Sequence, residues 1–319
     1  MKFALLLFLS LCFPIGVRAA EVIRIAYPST SFTTIPIIAA IKHGHFQKEG
    51  IRAELIYMRP NISLTALVNG QVDFVTVHGS VVRAAARGLP VKSLMVIADR
   101  PAYFLITKNM VKSVAELKGK TIGIASLGGS VHLMTKELFA QNGLDPDRDV
   151  AMIVTGDHNT SILAMQAGNV DAVVIAVPWQ TVAAKAGFHK LIYLGDVMRL
   201  PMAGLGAADE TIKSRPDLLK RAVKSTLQAI AFIRDPNNKK EVLSLMADWF
   251  KISEDLAQNA YDQMVEVYPA NGMVSDEALE KDLEVARQTG AIKARVPLSR
   301  IVDFQFVREA RKELSGKKR

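Results

Sequence analysis

The chain has 319 residues, half of them hydrophobic and 22% charged, with a formal net charge of +9. That is too apolar for a disordered chain, and the length is enough for a large core divided between two lobes. One cysteine in the whole sequence, Cys12, excludes a disulfide framework.

Residues Met1 to Ala20 read as a secretory signal. Lys2 supplies a short positive start, Phe3 to Val17 is almost wholly apolar, and Val17-Arg18-Ala19 offers small residues for cleavage after Ala19. An apolar run of about fifteen residues falls short of the roughly 20 that span a bilayer, so a retained anchor is the lesser alternative. Leu11 before Cys12 is too bulky for a lipoprotein signal. Export to the periplasm is therefore expected, and the mature chain would carry no cysteine, hence no iron–sulfur cluster and no thiol nucleophile. Losing Lys2 and Arg18 leaves 38 basic against 31 acidic residues, a net +7. Much of the excess sits in the tail (Arg308, Arg311, Lys312, Lys317, Lys318, Arg319), read as a solvated, frayed end. No helix-turn-helix or zinc-finger spacing supports nucleic acid as a partner.

Along the mature chain, Val22 to Tyr27 alternates and stops at Pro28, as a strand does. Ile35 to Lys42 has a helical pattern, with Gly44 beyond it. Arg52 to Met58 reads as a strand halted by Pro60, Ser63 to Asn69 as a helix ended by Gly70, Asp73 to Val77 as a strand and Val81 to Arg87 as a helix. After Pro101 the alternation restarts. Strands are expected at Thr121 to Ala125, Val150 to Thr155 and Ala172 to Ala176. Helices are expected at Ser130 to Gln141, Ser161 to Ala167 and Trp179 to Lys185. Strands alternating with helices through short connections imply right-handed βαβ units and a mostly parallel sheet in each half. From about Glu210 the sequence is helical almost throughout, with starts at Arg215-Pro216, Asp235-Pro236 and Ser253-Glu254-Asp255. The expected organisation is a signal at 1–19, one lobe from 20–100 plus 205–319, and a second lobe from 101–204. The halves also echo each other: Asn69-Gly70-Gln71-Val72-Asp73-Phe74 parallels Ala167-Gly168-Asn169-Val170-Asp171-Ala172.

In open α/β sheets ligands bind beyond the carboxyl ends of the strands, which selects the loops after each strand. In the first half these hold Thr30, Asn61, His78, Gly79 and Ser80; in the second they hold Gly128, Gly129, Ser130, Asp157 and Trp179. Hydroxyls and glycines at helix N-termini expose backbone N–H groups suited to an anion. Trp179 is suited either to stacking on a planar ligand or to core packing, Asp157 to a cationic group or a helix cap, and Ser130 to a ligand contact or an N-cap. Arg100, at the crossover between the halves, is suited to a carboxylate or sulfonate or to hinge support. The six histidines are scattered and form no metal-binding spacing, so neither a metal nor a cofactor is expected. Hydrolase elbows and nucleotide-binding loops are also missing.

Several phrases resemble the periplasmic solute-binding proteins for sulfonates, nitrate, taurine and thiamine-precursor pyrimidines. They are Ile38-Ala39-Ala40 through Gly44-His45-Phe46, Glu49-Gly50-Ile51, Ala66 to Phe74, Ser113 to Lys120 and Gly168 to Ala172. The resemblance runs in order over residues 21 to 205. It implies a type II two-lobed periplasmic-binding-protein-like fold and a monomer that traps a small molecule by hinge closure. The partners it implies are an ABC permease and its ATPase. It also likens Gly128-Gly129-Ser130 to the Gly-Ser turn at the family's cleft. Two further readings are a ligand-sensing module for a membrane receptor and a thiamine-pyrimidine-synthase-like enzyme. The enzyme branch carries a cysteine-rich iron motif, and the mature chain has no cysteine, so the chain is expected not to be an enzyme.

Overall fold

The computed structural model describes residues 19–108 and 111–316. The signal reading falls almost entirely outside them, as do residues 317–319. Two five-stranded sheets form the frame. The first holds β1 (Glu21–Tyr27), β2 (Ile51–Tyr57), β3 (Phe74–Val75), β4 (Val91–Ala98) and β10 (Ala203–Ala208), in the order β2-β1-β3-β10-β4. The second holds β5 (Tyr103–Thr107), β6 (Thr121–Ile124), β7 (Ala151–Val154), β8 (Ala172–Ala176) and β9 (His189–Tyr193), in the order β7-β6-β8-β5-β9.

In each sheet one strand opposes the rest. β10 runs antiparallel to β3 and β4, and β5 antiparallel to β8 and β9. These are the strands by which the chain arrives after crossing from one sheet to the other, so each enters its new sheet from the far end. The remaining pairs β1–β2, β1–β3, β6–β7 and β6–β8 are parallel, and the fold is the expected two-lobed α/β architecture.

Helices cover the sheets. Those interleaved with the strands are α1 (Ile35–Lys42), α2 (His45–Lys48), α3 (Pro60–Val68), α4 (His78–Ala86), α5 (Ser130–Gln141), α6 (His158–Gln166), α7 (Trp179–Lys185) and α8 (Leu194–Val197). After β10 come α9 (Asp209–Ser214), α10 (Pro216–Arg234), α11 (Lys239–Phe250), α12 (Glu254–Met264), α13 (Asp276–Gln288), α14 (Leu298–Ile301) and α15 (Gln305–Gly316). The long helix α10 packs its apolar side, including Leu219, Val223 and Ile230, against α1 and α15. As far as Gly316 the tail is packed helix and not the frayed end expected: Phe306, Val307 and Ala310 bury one face of α15, and Arg308, Arg311 and Lys312 are exposed. Lys224 on α10 is 6% exposed and pairs with Glu49 at 2.8 Å and Glu313 at 3.0 Å, which ties α15 to the first sheet's helices.

The repeated Gly-x-Val-Asp phrase has the same structural job in both halves. Gly70 and Gly168 have φ of +68° and +78°, ending α3 and α6 in the left-handed region that glycine adopts without strain. Asp73 then accepts the backbone N–H of Arg24 at 2.8 Å, and Asp171 that of Thr121 at 3.0 Å. Each carboxylate thus clamps the third strand of its unit to the first. Asp73 also pairs with Arg215, which binds Glu21 at 2.8 Å.

Candidate functional site

The carboxyl ends of the parallel strands of both sheets face one cleft. From the first sheet, β1 runs into Pro28-Ser29, β2 into Arg59-Pro60 and β3 into Thr76-Val77. From the second, β6 runs into Ala125-Ser126 and β7 into Gly156-Asp157. All of these residues line the cleft. Tyr103 at the start of β5 and Met202 just before β10, the two crossing points, complete the floor.

The walls are mostly apolar and aromatic, with a few fixed polar groups, the usual make-up of a small-molecule site. Tyr57 is 52% exposed and meets Tyr27 edge-on, with ring centroids 5.8 Å apart. Tyr103 is only 7% exposed, and burial pushes its phenol pKa up. Its hydroxyl has no hydrogen-bond partner among the described residues. His158 lies between Tyr103 and Trp179, 6.4 and 6.3 Å from their ring centroids. Burial lowers its pKa to about 4, so the imidazole is neutral at pH 7, and its Nε2 is buried without a partner among the described residues. On the opposite wall a hydroxyl chain runs Ser29–Ser31–Thr33, with spacings of 3.1 and 2.9 Å. Arg59 is the cation on this wall, and no carboxylate pairs with it among the described residues.

Of the residues singled out from sequence, Ser80, Gly129, Ser130 and Asp157 line the cleft. Asp157 is the N-cap of α6. Its Oδ1 accepts the Thr160 N–H at 2.9 Å and the Thr160 hydroxyl at 3.0 Å, so its charge is engaged locally. Ser130 is not an N-cap, since Gly129 holds that place and Ser130 begins the helix. Asn61 and Gly128 line an adjoining hollow that shares Pro60, Ser80 and Gly129 with the cleft. Gly128 has φ +73° and donates its N–H to Nδ1 of His132 at 3.0 Å, which fixes the loop ahead of α5.

Four others sit behind the wall. His78 is fully buried at the start of α4, with Nδ1 2.7 Å from the Ser93 hydroxyl. Gly79 lies where the lobes touch: a Cβ there would stand 2.6 Å from Ser130 Oγ and 2.9 Å from an Arg83 nitrogen. Trp179 is 8% exposed and donates Nε1–H to the Thr30 carbonyl at 2.7 Å, so Thr30 and Trp179 join the lobes to each other. The Phe32 N–H to Val177 carbonyl bond at 3.2 Å and the Gln180–Gln263 bond at 2.7 Å span the same divide. Arg100 pairs with its neighbour Asp99 at 2.8 Å, away from the cleft.

Sequence reasoning did not single out Tyr57, Arg59, Arg83 or Tyr103 for this site. Arg59 stood one residue before the proline that ended the β2 prediction. Arg83 carries a clearer signal, because a lone arginine within Val81-Val82-Arg83-Ala84-Ala85 has no polar face to occupy. Among the described residues no group of three or more His, Cys, Asp or Glu could hold a metal, and no helix is long and apolar enough to cross a membrane.

A model of the NMT1/THI5-like family matches residues 31–239. The chain belongs to that family. Among curated members and relatives, riboflavin-binding protein RibY of Chloroflexus aurantiacus is 27% identical over 208 residues, covering 61% of this chain and 57% of RibY. The putative binding protein YtlA of Bacillus subtilis is 20% identical, with 91% of this chain and 90% of YtlA covered. The match to the nitrate import ATP-binding protein NrtC of Synechocystis takes in 35% of that protein, so the chain spans less than two thirds of both RibY and NrtC. Among solved structures, a Bordetella bronchiseptica protein superposes with a TM-score of 0.81 at 17% identity, covering 92% of this chain and 98% of that one. The periplasmic aliphatic sulphonate binding protein SsuA of Escherichia coli gives 0.70 at 19% identity, covering 89% and 92%. At these identities the NMT1/THI5-like chain and its structural neighbours share a fold.

Proposed function

We propose that this NMT1/THI5-like chain is an extracytoplasmic solute-binding protein that captures one small organic molecule between its lobes and presents it to an ABC importer. The observation that carries this reading is the cleft lined by strand ends of both sheets, with strand crossings as its floor. A molecule seated there touches both lobes at once, so its binding energy favours the closed arrangement over the open one. The moving bodies in this reading are residues 20–100 plus 205–319 and residues 101–204, and the closed form is what a permease would recognise.

The wall chemistry supports a flat organic solute. Tyr57, Tyr103 and His158 line the cleft with rings, and the Tyr103 hydroxyl offers a hydrogen bond that no described protein group takes up. The sulfonate-, nitrate- and pyrimidine-like classes suggested by the family resemblance, and the riboflavin in the RibY name, define the range to test.

The test is thermal unfolding of the mature protein against sulfonates, nitrate, pyrimidines, flavins and carboxylates. A ligand at 100 times its dissociation constant adds about 2.7 kcal/mol of stability, a plain shift in Tm. A shift with one class, reduced in Ser130→Ala, supports the reading. A flat panel with folded, ligand-free protein contradicts it.

A further inference from the structure

Strands β2 and β4 end the first sheet, and β7 and β9 end the second. Three of these edges are guarded against a further strand. On β2, Arg52 pairs with Glu54 at 2.9 Å and Arg24 of β1 reaches Glu54 at 3.8 Å, so charges line that edge. Beside β4 the C-terminal segment occupies the edge. Asp303 donates its N–H to the Ser93 carbonyl at 2.9 Å, and the Val96 N–H bonds to the Gly272 carbonyl at 2.8 Å. Strand β9 carries exposed Lys190, whose Nζ lies 6.0 Å from the Phe104 ring centroid. Charges and covering segments are the usual means of keeping an edge from pairing with another chain.

β7 has no such guard. Ala151 and Thr155 donate their N–H groups to the carbonyls of Lys120 and Ile124, each at 3.0 Å, as β7 runs parallel to β6. Alternate residues of a strand in a parallel pair point away from the partner, so Met152 and Val154 turn N–H and C=O outward. The run Val150-Ala151-Met152-Ile153-Val154-Thr155-Gly156 holds no charge and no proline. Ile153 is 41% exposed and Val154 42%, on opposite faces of the strand. A strand laid along this edge therefore covers apolar surface on both sides.

The two ends of β7 also differ in charge. Before it, Arg148 is exposed and has no ion pair among the described residues. After it, Asp157 is exposed, and its Oδ2 has no partner among the described residues, the cap bonds being made by Oδ1. A second β7 running antiparallel brings the Arg148 end of each copy to the Asp157 end of the other. A parallel arrangement would set like ends together.

We propose that β7 is the docking edge for a second copy of this chain, joined antiparallel about a two-fold axis at Met152. A two-fold normal to the sheet pairs residues of the same face. Met152 then exchanges two backbone bonds with its own copy, and Ala151 stands opposite Ile153. The two second sheets join into one continuous sheet, with the clefts at its opposite ends. So short an edge gives an interface below about 1,200 Å², so association is weak and depends on concentration. The monomer implied by the family resemblance is the dilute form. The inference does not depend on what the cleft holds.

Sedimentation equilibrium of the mature protein from about 10 to about 500 μM, a range suited to a small interface, tests the proposal. The average mass is expected to rise from one chain towards two. Over the same range, hydrogen exchange should slow at the Met152 and Val154 amides and stay unchanged along β2. Val154→Lys places a like charge on both copies at the edge and should weaken association about tenfold. Its circular dichroism and urea midpoint should match the wild type, because Val154 is exposed in the single chain. Arg148→Glu should weaken association several-fold at low salt. A one-chain mass at every concentration overturns the proposal. Association that Val154→Lys leaves intact also overturns it, since the copies would then meet elsewhere. Association lost in Val154→Lys but unchanged in Arg148→Glu overturns the antiparallel arrangement.

Discussion

Acid should unfold this protein by a route set by two buried histidines. His78 has its pKa pushed down to about 3 by burial and then by the nearby charge of Arg83, and burial holds His158 down at about 4. Both stay neutral in the folded chain and take up protons near pH 6.5 once unfolded. Their contribution is therefore fully present above pH 6.5 and is lost as pH falls from there towards 4 and 3. Between pH 7.5 and 5.0 each should cost about 2 kcal/mol, so the pair costs about 4 kcal/mol. Asp282 works the other way. Burial raises its pKa to about 6 against the lowering influence of Arg83, so protonation in the fold returns about 1.4 kcal/mol over the same interval. The expected net loss from these three groups is about 2.5 kcal/mol, a large part of a typical domain's stability. Urea unfolding followed by circular dichroism at the two pH values measures it. In His78→Gln, whose amide can keep a bond to Ser93, and in His158→Gln, the acid loss should shrink by about 2 kcal/mol each. Wild-type stability that does not change between pH 7.5 and 5.0, or glutamine variants as acid-sensitive as the wild type, would refute the reasoning.

Gly79→Ala places a methyl against Ser130 and Arg83 at the lobe contact. It should weaken solute affinity at least tenfold by calorimetry while changing the urea midpoint little, because the lobes can part to relieve the clash. Lys224→Ala leaves Glu49, whose side chain is 13% exposed, without its partner, and should destabilise the fold by about 3 kcal/mol in urea unfolding. Asp282→Asn removes a carboxylate that burial penalises above its raised pKa. It should stabilise the protein by about 1–3 kcal/mol at pH 7.5 and lose that advantage below pH 4.

The sequence was most legible where local signals agree with burial. Ile35–Lys42, Ser130–Gln141 and Trp179–Lys185 are helices over the expected spans, and Ala172–Ala176 is a strand as expected. Helix α3 starts three residues early because Pro60 takes its first turn, and α6 starts at His158 because Asp157 caps it. The third strand shrinks to Phe74–Val75. Strand β4 lacked an alternating signal because Leu94 to Ala98 is buried on both faces. β10 reads Ala-Gly-Leu-Gly-Ala-Ala, with no β propensity of its own. It is extended because β3 and β4 pair with it, and a Cβ at Gly204 would stand 2.2 Å from the Met95 carbonyl oxygen. For the cleft, the loop rule picks strand ends that line it, but loop membership does not say which way a side chain turns. His78 and Trp179 face inward, whereas Arg83 lines the hollow beside the cleft from within a helix. Tyr103 comes from a crossing strand that carried no loop signal.

Solute occupancy of the cleft between the lobes is tested most directly by calorimetry with the solute that gives the largest thermal shift, on wild type and Ser126→Trp. Ser126 lines the cleft on the loop before α5, so an indole there fills the space without entering the core. The account predicts one site per chain in the wild type and at least a hundredfold loss in Ser126→Trp, with unfolding in the absence of solute unchanged. Equal affinity in the two proteins would place the solute elsewhere and contradict the account.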